Sequence, residues 1–213
     1  MSIYTSKNTL IAGITGSGKS YLENLIIKDL LQEPDALLVL VDQKMVELSD
    51  YAQDTKTMFY ADDEDGIYDT LSDVYEIMMR RYEKMKAAGM KSTDEPPIYV
   101  CVDEMAALLQ SERKKQYVKM FSRLALLGRA AGVHLILCTQ VATQDVIPAC
   151  IRDQMTNIIC LRQYNQGKYR FLLGEAVTEL PMVGYAYLKR PGFKIEKIRV
   201  DDVWKKISGK EGM

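Results

Sequence analysis

Eight residues of the chain, Gly13-Ile-Thr-Gly16-Ser-Gly18-Lys19-Ser20, fit the pattern G-x-x-x-x-G-K-[ST]. Such a loop lets backbone N–H groups converge on phosphate oxygens, and the helix that follows offers them its positive end. Gly13, Thr15, Gly16, Ser17, Gly18, Lys19, Ser20 and Tyr21 are therefore the expected nucleotide-binding set. Lys19 is expected at the β/γ-phosphates and Ser20 on Mg²⁺. A second stretch, Ile98-Tyr-Val-Cys-Val-Asp103-Glu104, is an apolar run closed by two acids. Asp103 can support the Mg²⁺ shell and Glu104 can polarise an attacking water. The same two acids could also simply open a helix, where negative charge is favoured. A third run, His134 to Cys138, ends in Thr139-Gln140, and an amide there could sit between the acids and a γ-phosphate. His134, the chain's single histidine, stands at the entry of that run and reads as structural.

These residues need a scaffold that carries them to one edge. Short apolar runs without polar alternation recur at Thr9 to Ala12, Leu37 to Val41, Ile98 to Val102, His134 to Cys138 and Asn157 to Leu161. Strands buried on both faces read this way. Helical patterns lie between them: Leu22 to Leu30, Ile67 to Met85, and Leu108 onward to Leu127. The alternation predicts an α/β fold with a mostly parallel sheet covered on both sides. Gly184 to Val200 reads as a hairpin turning at Pro191-Gly192, and Asp201 as the N-cap of a last helix carrying Trp204. The acidic YADDEDG from Tyr60 and the loop KSTDEPP from Lys91 read as solvated surface.

Length, composition and charge limit the function classes. A chain of 213 residues suits one domain, and no linker or low-complexity tract divides it. It shows neither a signal segment nor an apolar run of bilayer-spanning length, so a cytoplasmic protein is expected. A net charge of −1 leaves no overall basic footprint, so any DNA contact must be local. Cys101, Cys138, Cys150 and Cys160 lack paired short spacings and read as small core side chains.

Six separated stretches, IAGITGSGKS, VDQKMVELSDY, MMRRYEKMKAAGMK, VDEMAALL, GRAAGVHLILCTQ and IPACIRDQMTNIICL, together resemble the FtsK/SpoIIIE DNA translocases of the FtsK–HerA group. The resemblance implies a RecA-like P-loop motor that assembles as a hexameric ring around double-stranded DNA and moves it with ATP. By position it assigns Lys19 and Ser20 to the P-loop pair, Asp103 and Glu104 to the metal-supporting and catalytic acids, and Gln140 to the γ-phosphate sensor. Arg129 matches an arginine that acts on nucleotide near the ring interface; a helix C-terminal cap is the competing reading. Arg152, Lys168 and Arg170 fall where the family has DNA-facing basic residues, though the family's SSKIDSR loop here reads QYNQGKYR and its QRPS reads QVAT. VDQKMVEL resembles the family's DPKMVEL, with Gln43 in the place of proline; Asp42 can sit near the nucleotide or brace its loop, and Lys44 and Glu47 can pair locally or across a subunit boundary.

The whole of residues 1–213 is expected to form one motor domain without a membrane anchor or winged-helix reader. Such a compact motor suits DNA transfer or packaging by a mobile element or virus, with a membrane or capsid partner supplying location. The rival is a nucleotide-dependent regulatory ATPase that does not move DNA. Clear cues for a small-molecule kinase, an acceptor pocket and a lid, are lacking.

Overall fold

The computed structural model describes residues 7–208. In chain order the elements are β1 (Thr9–Ala12), α1 (Lys19–Gln32), β2 (Leu37–Val41), β3 (Thr57–Ala61), α2 (Glu64–Ala88), β4 (Ile98–Val102), α3 (Met105–Leu108), α4 (Lys114–Leu127), β5 (Val133–Thr139), α5 (Ala149–Arg152), β6 (Asn157–Cys160), α6 (Gln166–Leu173), β7 (Tyr185–Lys189), β8 (Glu196–Arg199) and α7 (Val200–Ser208). One sheet takes all eight strands in the order β3-β2-β4-β5-β1-β6-β7-β8. The first six run parallel, β7 pairs antiparallel with β6, and β8 pairs antiparallel with β7. This is the expected α/β architecture, hairpin included.

The unalternating runs are buried because both faces of the sheet are covered. Alternate strand residues feed two cores: Leu10, Val39, Val100 and Leu135 pack beneath α2 and α4. Ile11, Leu38, Cys101, Ile136 and Ile159 pack beneath α1 and α7. Trp204 in α7 closes the second core and donates its indole N–H to Asp29 of α1 at 2.7 Å. Cys101, Cys138 and Cys160 are buried in strands as expected, whereas Cys150 is exposed on α5.

Three local expectations change. Tyr60 and Ala61 belong to β3, an edge strand, and Asp63 caps α2 by accepting the Gly66 N–H at 2.9 Å, so the acidic stretch is a strand end and a helix start. The helix expected from Leu108 to Leu127 is two, α3 and α4, parted where the Ser111 hydroxyl accepts the Arg113 N–H. The last helix begins at Val200 directly from β8, which puts Asp201 in its first turn instead of at its cap. Among the described residues no helix is long and apolar enough to cross a membrane.

Candidate nucleotide site

Strand order brings the chemistry together. β5 lies between β1 and β4, and the registers Ala12 to Thr139 and Val102 to Leu137 bring the three carboxyl ends level. The P-loop after β1, the acids after β4 and Gln140 after β5 therefore share one edge, where ligands collect in open α/β sheets.

The loop between β1 and α1 is packed tightly and left open at its tip. A Cβ on Gly13 would meet Ser17 Oγ at 2.4 Å and the Leu161 Cβ at 2.8 Å, so the loop's descent along β6 requires glycine there. Gly18, the N-cap of α1, sits at φ 93, a conformation that favours glycine. No side chain caps α1 and its first turn carries no acid, so its free N–H groups are offered to an anion.

Lys19 is buried and its Nζ donates to the Asp103 carboxylate at 2.5 Å and to the Asp103 carbonyl at 3.1 Å. Glu23, one turn along α1, lies 3.9 Å from the same amine and is fully buried. Burial opposes the charge on Lys19, but the fields of Cys138, Glu23 and Asp103 and the Asp103 hydrogen bond outweigh it and hold its pKa above the ordinary lysine value. Cys138 is itself pushed far up by burial, and it is Asp103 that takes the hydrogen bonds of the amine. Burial likewise pushes the Glu23 carboxyl up to about 8, against the pull of Lys19.

Glu104 opens a helix and is also tied to the end of β5. It caps α3 by accepting the Ala106 N–H at 3.2 Å, and it accepts from the Thr139 hydroxyl at 2.9 Å and from the Gln140 N–H at 3.2 Å. Gln140 in turn accepts from the Thr15 hydroxyl at 2.8 Å. Gln140 thus bridges the two, its side-chain amide bonded to the P-loop and its main-chain N–H to the acid.

The loop after β2 completes the site, and it does so differently from the expectation. Lys44 and Glu47 do not pair with each other. Lys44 Nζ stands 3.8 Å from both Asp103 Oδ2 and Glu104 Oε2, while Glu47 accepts the Ser20 hydroxyl at 2.7 Å. Asp42 is fully buried and accepts the Leu48 N–H at 2.8 Å, which is the bracing role. The Tyr21 hydroxyl donates to Asp201 at 2.9 Å, on α7. Sequence reasoning missed Glu23 and did not join Glu47 to Ser20. An acid one helical turn after a lysine looks like an ordinary surface pair, and nothing local points Glu47 back to Ser20.

The residues fit a magnesium nucleotide. Ser20 and Asp103 supply hydroxyl and carboxylate oxygens, the hard donors Mg²⁺ takes, and it commonly needs only one or two from protein beside phosphate and water. Asp103 Oδ2 is buried without a hydrogen bond among the described residues, so a lone-pair site is available at the required place.

The model of the FtsK/SpoIIIE family matches residues 2–95 and 88–144. The chain belongs to that family. The DNA translocase FtsK of Helicobacter pylori is 36% identical over 171 residues, covering 72% of this chain and 20% of the relative. The DNA translocase SftA of Bacillus subtilis is 31% identical over 188 residues, covering 80% of this chain and 20% of the relative. The chain thus spans about a fifth of the length of these curated relatives. Among solved structures, the conjugation coupling protein TcpA of pCW3, captured with ATPγS, superposes with a TM-score of 0.79 at 25% identity, covering 97% of this chain and 64% of that one.

The remaining family-assigned residues lie away from the P-loop. Arg129 precedes β5, so it stands at the amino edge of the sheet, and the seven residues of β5 put about 20 Å between it and Gln140. It is exposed and caps no helix: the Leu124, Ala125 and Leu127 carbonyls are taken by Gly128, Asn8 and Tyr82. Its loop is held by neighbours instead, with Ala130 accepting the Thr93 N–H and Ala131 accepting buried Arg81. The KSTDEPP loop is therefore a brace as well as surface.

Arg152 and Arg170 come together at the same amino edge, with Lys189, around a cleft of about 650 Å³. The Arg152 guanidinium lies 4.8 Å over the Phe171 ring. Lys168 is separate: its amine donates to the Ala142 carbonyl at 2.8 Å, beyond the carboxyl end of β5. His134 is buried against Tyr99, with ring centroids 5.3 Å apart. Burial, aided by Arg81 and Arg129, pushes its pKa down to about 4, so it is neutral and structural.

Proposed function

We propose that the chain is an ATP-hydrolysing motor that moves double-stranded DNA as a ring oligomer. The observation that carries this reading is that Glu104 and Gln140 meet at the P-loop edge of the sheet, with Arg129 on the opposite edge. Bound MgATP supplies the phosphoanhydride that is cleaved. Lys19 and the first-turn amides of α1 bind its phosphates, and Ser20 with Asp103 would hold the metal. Glu104, pinned by Thr139 and the Gln140 N–H, orients the attacking water and takes its proton. Gln140 and Thr15 link the P-loop to that acid, so the presence of the terminal phosphate can be felt at Glu104.

Arg129 cannot reach the nucleotide of its own subunit across the sheet, so we assign it to a neighbour's. A cation supplied in trans makes hydrolysis conditional on assembly. A closed ring uses the same arginine once per site, and we assign it the hexameric count that the family resemblance implies. Arg152 and Arg170, on that same edge, are assigned to the DNA phosphates, and several copies converging on one duplex offset a net charge of −1 per subunit. The family's translocases and the TcpA likeness support a role in DNA transfer in the cytoplasm, with a membrane or capsid partner giving location.

The test is ATPase activity with and without duplex DNA at low salt, for the wild type and Glu104→Gln. Stimulation by duplex, lost in the variant, supports the motor. Hydrolysis indifferent to DNA at high protein concentration would instead favour a regulatory ATPase that does not translocate.

A further inference from the structure

The loop after β2 is built to deliver one carboxylate to one hydroxyl. Its start is fixed by Asp42, whose carbonyl accepts the Met45 N–H at 3.0 Å and whose carboxylate accepts the Leu48 N–H at 2.8 Å. Met45 is held at φ 56, the left-handed conformation that lets the chain reverse. Leu48 is fully buried in the α1 side of the core. The loop's far end is tied to α1: the Tyr51 hydroxyl donates to Asn24 at 2.5 Å, and Asn24 donates to the Ser20 carbonyl at 2.9 Å. Between these anchors Glu47 accepts the proton of Ser20 Oγ at 2.7 Å.

A serine hydroxyl has one proton and two lone pairs. A metal needs a lone pair, whereas a phosphate oxygen would attract the proton. We propose that Glu47 is a positioning residue that accepts the hydrogen bond of the Ser20 hydroxyl, so that the Ser20 lone pairs face the cation accompanying the nucleotide. This rests on the nucleotide reading of the P-loop. Metal sites are oriented by such outer partners, whose loss typically lowers metal affinity about 10–100-fold. Without the acceptor, Ser20 can turn its proton to phosphate and lose its preference for metal. Glu47 is held by a preorganised loop, which is what an orienting group requires.

The test is the ratio of Kd values for a slowly hydrolysed ATP analogue measured in EDTA and in Mg²⁺, by calorimetry, on the full chain. Cooperative thermal unfolding checks that each variant is folded. In Glu47→Ala the ratio falls about 10–100-fold from the wild type. Glu47→Gln keeps most of it, because the amide oxygen still accepts the Ser20 proton. In a Ser20→Ala background, Glu47→Ala has no further effect, since the two residues act as one unit. An unchanged ratio in Glu47→Ala overturns the inference, as does a Gln variant as weak as the Ala variant, or losses that add across the two sites. If the wild type binds the analogue in neither EDTA nor Mg²⁺, the nucleotide reading falls too; wild-type binding without Mg²⁺-dependent tightening, or a normal wild-type ratio with an indifferent Glu47→Ala, sinks this inference alone.

Discussion

The two edges of the sheet are built on opposite plans. At the carboxyl edge nearly every functional group has a partner: Lys19 with Asp103, Ser20 with Glu47, Glu104 with Thr139 and Gln140, and Lys44 between the acids. At the amino edge Arg129 and Arg170 are exposed, and their guanidinium groups make no hydrogen bond or ion pair among the described residues. Their positions are nonetheless set, Arg129 by the clamped loop before β5 and Arg170 by α6. Cations left without partners at fixed positions suit anions that arrive from outside. The groups assigned to the nucleotide are thus assembled within one subunit, while the arginine proposed to complete them faces away.

Variants at each edge sharpen or break this contrast. Arg129→Ala should lower hydrolysis by roughly 10³ to 10⁵-fold, the range for a charge supplied in trans, with nucleotide binding to the subunit retained. Steady-state ATPase rates beside binding isotherms check it, and a loss of binding instead would place Arg129 in its own subunit's site. Glu104→Gln should cost about 10² to 10⁴-fold in turnover with nucleotide still bound, since the amide oxygen keeps the cap on Ala106 and the hydrogen bond from Thr139.

Replacing Arg152 and Arg170 by Gln should leave the nucleotide edge intact and weaken duplex binding. The slope of log affinity against log salt should become shallower by roughly 0.9 for each phosphate that a subunit no longer neutralises. Binding titrations at several salt concentrations measure this, and an unchanged slope would move DNA to other residues.

The smallest effect concerns His134. Its folded pKa, about 4, lies below the ordinary value of 6.5. The unfolded chain therefore binds the extra proton between those values. The stabilisation is present above the unfolded value and is lost as pH falls through the window, with a slope approaching about 1.4 kcal/mol per pH unit. Denaturant unfolding between pH 7 and 4 should show a shallower decline in His134→Phe than in the wild type, with the amino-edge loop beside Arg129 otherwise unaltered.

Much of the carboxyl edge was legible because its signals are local. A glycine-rich loop between a strand and a helix, and acids ending an apolar run, each declare a position without knowledge of the rest. β3 escaped because Thr57–Ala61 is a half-exposed edge strand without an apolar run, and its end merges with the acids that cap α2. The break between α3 and α4 rests on a side-chain turn at Ser111 that periodicity does not register. The roles of Glu23, Lys44 and Glu47 were hidden for a different reason: each meets groups from more than one element, and only the parallel order β2-β4-β5-β1 brings them to one place. Tyr21, next to the P-loop in sequence, is bonded to Asp201 because α1 and α7 cover the same face of the sheet. Arg129 was marked by resemblance alone. Its distance from its own P-loop follows from the course of β5, which runs from one edge of the sheet to the other.

The central claim is that Arg129 serves a neighbouring subunit's nucleotide, and mixing two inactive variants tests it most directly. Lys19→Ala lacks a working P-loop but carries Arg129; Arg129→Ala has the reverse. Co-assembled on duplex DNA, the pair should hydrolyse ATP well above the sum of the two alone, because intact P-loops then face intact arginines. A mixture no more active than its parts, with mixed assembly confirmed by tagged copurification, would contradict the account.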